Sequence, residues 1–204
     1  MNPGTISFVL ISAALIFVLS GWKDVWLKGL SLRFILLFLA AWSVLAFFEL
    51  DFAGYTIHLA VLPVAAFAAV AVMQAGSPAA LARYCGVGGM LGALLFMLHE
   101  STRLAPAFAI VHQDLDPALL VSLLLVIFYR QPKQQLTALS IGWLVAGLFT
   151  LMLHRQQPSV SLGDLHAQDE WWLMAWMSRL MAVTVEQTYK TMKRTIAGWA
   201  TRRK

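Results

Sequence analysis

Charge is what this chain has least of. Of its 204 residues only 12% are Asp, Glu, Lys or Arg, while 60% are hydrophobic. A soluble domain is about a quarter charged and could not cover so apolar a chain with polar surface, so lipid is the expected solvent. Cysteine is equally scarce. The single Cys85 excludes an intramolecular disulfide and says nothing about compartment. The long apolar runs lack period-two alternation, which argues against the strands of a membrane barrel. No basic n-region precedes "ISFVLISAALIFVL" and no convincing A-x-A site follows it, so this run is read as a retained helix rather than a signal peptide.

Catalytic signatures are missing as well. There is no H-E-x-x-H, no CxxC and no GxSxG. No phosphate-loop lysine follows the glycines, and no strand precedes them, so nucleotide binding is a poor reading. Every lysine lies outside the apolar runs, which excludes the Schiff-base lysine of a retinal protein. The halves show no clear inverted repeat of the kind many transporters carry. No cofactor is implied, and the chain reads as non-enzymatic. The net charge of +5 is read as membrane anchoring rather than nucleic-acid binding.

What is present is a series of seven apolar segments, roughly 4–22, 34–50, 55–73, 81–98, 117–129, 136–153 and 171–189. Helices of about 20 residues cross a bilayer. The expected fold is therefore all-α: a polytopic integral membrane protein with about seven transmembrane helices. The fifth segment is short and needs residues borrowed from "IVHQDLD" to cross. With seven crossings, twelve lysines and arginines fall on one side, from Lys23 and Lys28 to the tail with Lys190, Lys193 and Arg194. The positive-inside rule then places the N-terminus outside and the C-terminus in the cytoplasm. The expected division is a seven-helix membrane domain, 1–189, and a basic amphipathic tail, 190–204, lying on an anionic inner leaflet.

On that map all five histidines and most carboxylates face outward. His99, Glu100, His112, Asp114, His154 and His166 form a candidate outer cluster, which could hold a metal such as zinc if three or more converge. The competing reading is ordinary loop polarity. His58, in "YTIHLAVLP", is placed about one turn inside the third span, five residues before Pro63. A proton-linked or pH-sensing role is open for it, beside that of an interfacial anchor. Arg179 and Glu186 lie within the last segment, and intramembrane charges are functional candidates by default. Arg179 is placed near mid-span, with Glu100 a conceivable partner. Gly88 and Gly92 form a GxxxG pair, which Gly89 and Ala93 continue as a small stripe. This predicts close helix packing, with "PVAAFAAVAV" of the third span as a complementary face.

The opening "MNPG" and the first loop, "GWKDVWLKGLSLRFILLF", resemble the YphA-type membrane proteins of endospore-forming Gram-positive bacteria. The resemblance covers about the first 40 residues. It implies a multi-pass protein of a bacterial cytoplasmic membrane and supplies no catalytic residue. Three functional expectations follow. The leading one is a non-enzymatic membrane protein acting through lipid contacts, a membrane-protein partner or a second copy. The others are a small-solute or proton-linked transporter built on Arg179, His58 and Pro63, and a metal-dependent enzyme working at the outer surface.

Overall fold

The computed structural model describes residues 2–52, 55–104, 115–155 and 160–202. Among them are α1 (Thr5–Leu19), α2 (Lys23–Trp26), α3 (Leu32–Leu45), β1 (Glu49–Phe52), β2 (Tyr55–His58), α4 (Val61–Met73), α5 (Pro78–Leu104), α6 (Leu115–Phe128), α7 (Pro132–Leu153), β3 (Val160–Leu162) and α8 (Leu165–Arg202). The chain is predominantly helical, and α5 and α7 are long and apolar enough to cross a membrane. The other apolar helices, α1, α3, α4 and α6, have 13 to 15 residues. At 1.5 Å per residue they reach only about 20–22 Å, short of a ~30 Å hydrocarbon core.

Local chemistry explains where the helices start. Ser31 Oγ accepts from Phe34 N at the start of α3, and Ser77 Oγ from Ala80 N before Pro78 opens α5. Pro132 opens α7, where its missing N–H costs nothing. Asp164 Oδ1 accepts from Ala167 N at the start of α8. The start of α1 is capped from another helix. Asp169 of α8 accepts from Gly4 N at 2.8 Å and from Ser7 N and Ser7 Oγ at 2.6 Å.

A small sheet was not foreseen. β1 and β2 form an antiparallel hairpin with Glu49 opposite His58, and β3 adds parallel to β2. The hairpin occupies the end of the predicted second span and the start of the third. His58 therefore sits in a strand, not one turn inside a helix, with Nε2 3.8 Å from Glu49 Oε2. The cause is "ELDFAGYTIH": alternating polar and apolar residues around Ala-Gly favour a hairpin over helix continuation. Gly163, directly after β3, has φ +70° and lies where a Cβ would meet the Val61 side chain.

The tightest packing joins α5 to α7. A Cβ on Gly88 would lie 2.6 Å from Ile141 Cγ2, and one on Gly92 2.5 Å from Gly142 O. This is close backbone approach at GxxxG spacing. Two details of the expectation change. The facing helix is α7, not α4, and Gly89 meets nothing within 4 Å. Gly89 is one residue, about 100° of helix turn, away from Gly88, so the interface cannot use both. Ala93 is half-buried at the margin. Outside this core, large apolar side chains are exposed on nearly every helix, among them Phe8, Leu37, Met97, Ile127 and Met152.

Candidate functional sites at the two ends of the bundle

Hydrogen bonds sort the connections to two ends. The start of α1, the hairpin, the ends of α5 and α7, β3 and the start of α8 share the hairpin end. The opposite, tail end gathers α2, the end of α6 and the start of α7. There Lys133 Nζ donates to Gln74 Oε1 and Tyr129 Oη to Arg83 O.

At the hairpin end, α5, α7, β3 and α8 enclose a cavity of about 510 Å³. His99, Arg103, Asp164, His166 and Glu170 contribute its polar lining. Its apolar floor includes Leu95, Trp143 and Leu162. His99 Nε2 lies 2.8 Å from Glu170 Oε1, whose side chain is only 6% exposed. Beside the cavity, His154 Nε2 is 2.8 Å from Glu100 Oε1 and 2.7 Å from Arg103 Nη1. One ring nitrogen cannot both donate to the carboxylate and accept from the guanidinium, so only one of these two contacts is a hydrogen bond at a time.

Part of the predicted outer cluster is thus brought together, as pairs. His99 and His166 line the cavity, while Glu100 and His154 bond to each other next to it. His112 and Asp114 lie outside the described residues. Among the described residues no group of three or more His, Cys, Asp or Glu could hold a metal ion. Asp169 and Glu170 were legible only as outer acids. Their structural roles, one capping α1 and the other seating His99, depend on contacts that no local motif announces.

Arg179 is placed differently from expectation. It lies 14 residues, or roughly 21 Å, into α8, because that helix begins at Leu165 rather than near Trp171. This brings it to the tail end. Arg179 Nε donates to Trp26 O and Nη1 to Gln135 Oε1, both at 2.8 Å. Glu100 is at the other end and is not its partner. Gln135 is fully buried and its Nε2 donates to Tyr129 O at 2.7 Å. Arg179 also closes one end of a narrow aromatic groove of about 80 Å³, distinct from the hairpin-end cavity. Glu186 is exposed and pairs with Lys190 at 2.6 Å, so it is a surface residue of the helix extension.

The basic tail continues α8 without a break at residue 190. The helix has 38 residues, about 57 Å at 1.5 Å per residue, and residues 184–195 are exposed. No protein-family model, curated protein or solved structure matches the chain.

Proposed function

We propose that this chain is a non-enzymatic, seven-helix protein of the cell membrane, acting through contacts with lipid and with a membrane partner or a second copy. α1, α3, α4, α5, α6, α7 and α8 are the crossings, with the hairpin end outside and the tail end in the cytoplasm. The YphA-type resemblance of the first 40 residues agrees with a bacterial cytoplasmic membrane. The exposed apolar side chains support lipid as the medium, since a soluble monomer rarely exposes so much apolar surface. The four short helices are compatible with crossing where turns, the hairpin and local bilayer thinning make up the length.

The observation that carries the functional part is α8. It is about twice as long as a bilayer core, and its residues 184–195 are exposed and include Lys190, Lys193 and Arg194. Such a rod reaches the anionic inner leaflet or a partner there. A photo-crosslinking residue in place of Val185 or Tyr189, in the full-length chain in cells, tests this. Crosslinks to lipid, to a second copy or to a defined membrane protein are expected. A chain that yields none of them and remains monomeric overturns the reading.

The transporter reading draws on the hairpin-end cavity but loses its intended core. Arg179 is held at the tail end, and it does not line that cavity. The metal-enzyme reading lacks three converging ligands among the described residues.

A further inference from the structure

The groove beside Arg179 combines three features that a closed helix contact would not leave. Its walls are aromatic: Phe17 and Trp26 on one side, Phe34 on another, and Trp171, Trp172 and Trp176 along α8. Ring stacking organises this lining, with Trp26 and Trp176 centroids 4.5 Å apart. Trp171 and Trp172 are buried, yet neither indole Nε1 has a hydrogen-bond acceptor among the described residues. A buried unbonded N–H is costly, and native folds seldom leave two side by side.

The third feature is charge. Arg179 is 5% exposed, but its two hydrogen bonds go to neutral oxygens, and no carboxylate of the described residues pairs with it. Buried guanidinium groups are ordinarily met by anions, and two hydrogen bonds leave part of its five-donor fork unused. Of the nearby acids, Asp24 pairs with Lys23 at 3.6 Å and Glu186 with Lys190, and Glu186 acts on Arg179 through its field without an ion pair. Lys23 stands at the same end of the groove. A slot that is apolar along its walls and cationic at one end is complementary to an acyl chain with an anionic head.

We infer that the groove between α1, α3 and α8 holds an anionic phospholipid of the inner leaflet, its phosphate at Arg179 and Lys23 and an acyl chain against the tryptophans. The inference rests on the membrane reading proposed above.

Native mass spectrometry of the full-length chain in a neutral detergent tests the assignment. Phosphatidylglycerol and the phosphate-free diacylglycerol with identical acyl chains are titrated in parallel. The wild type is expected to retain one phosphatidylglycerol about ten-fold more tightly, the discrimination one charge-assisted hydrogen bond supplies. Arg179→Gln should abolish the preference and Lys23→Gln should reduce it. Ala14→Phe, which fills the groove and leaves both cations, should displace the lipid. Lys23 and Ala14 lie at the groove's edge, so these variants report even if Arg179→Gln does not fold. Equal retention of the two lipids by the wild type, or an unchanged preference in folded Lys23→Gln and Ala14→Phe, overturns the assignment. Alkaline carbonate extraction separates the two levels. A chain released as soluble protein sinks the membrane reading itself, whereas an embedded chain without headgroup preference sinks only the lipid seat.

Discussion

Alanine at Gly92 is the sharpest test of the packing. A Cβ there would lie 2.5 Å from Gly142 O and 2.7 Å from Val145 Cβ. Contacts this short do not occur, and the first obstacle is backbone, so α5 and α7 must separate. Overpacking of this kind costs about 1–3 kcal/mol. The comparison that isolates it is Gly89→Ala, whose Cβ meets nothing within 4 Å. Both substitutions gain the same helix propensity, up to about 1 kcal/mol, and this cancels between them. A chain of this size shifts by roughly 2–4 °C per kcal/mol. Gly92→Ala should therefore melt about 2–12 °C below Gly89→Ala in the same detergent. Gly88→Ala should also melt below Gly89→Ala, because its Cβ would lie 2.7 Å from Ile141 Cβ, which no rotamer change moves. Equal midpoints, or Gly92→Ala the more stable, would refute the α5–α7 contact.

Two further perturbations address the polar seats. Asp169→Ala removes the carboxylate bonded to the start of α1, at a cost of about 1.5–3 kcal/mol for each charge-assisted bond. Amide exchange should accelerate at Gly4 and Ser7 with α7 unchanged; uniform exchange along the chain would contradict the cross-helix cap. Arg179→Met and Gln135→Leu form a double-mutant cycle across a 2.8 Å hydrogen bond. Each alone leaves a buried polar group short of a partner, so the double variant should be more stable than the sum predicts, by roughly 0.5–3 kcal/mol. Strict additivity of the two melting shifts would show that the residues do not touch.

Which features were legible in the sequence follows from how local their causes are. The helical segments and the GxxxG approach were readable, because hydrophobic run length and small-residue spacing act within one element. The partner of Gly88 and Gly92 was not, since α4 and α7 offer similar small residues, and tertiary fit chooses between them. The hairpin at 49–58 was hidden by the apolar neighbours on both sides, which let "ELDFAGYTIH" be absorbed into two spans. Arg179 was misplaced by one error of register. The acids Asp169 and Glu170 made the start of α8 look like loop, yet both are hydrogen-bonded by groups of α1 and α5, so the helix begins earlier and its arginine lies nearer the tail end. His99 and Glu170 are 71 residues apart, a separation from which no motif could pair them.

The membrane map itself is tested by thiol labelling in intact cells. With Cys85→Ser as background, single cysteines replace Glu49 in the hairpin and Lys190 on the α8 extension, both exposed positions. An impermeant maleimide should label Glu49→Cys directly and Lys190→Cys only after the cells are permeabilised. Labelling of Lys190→Cys in sealed cells, or protection of Glu49→Cys there, would contradict the proposed arrangement.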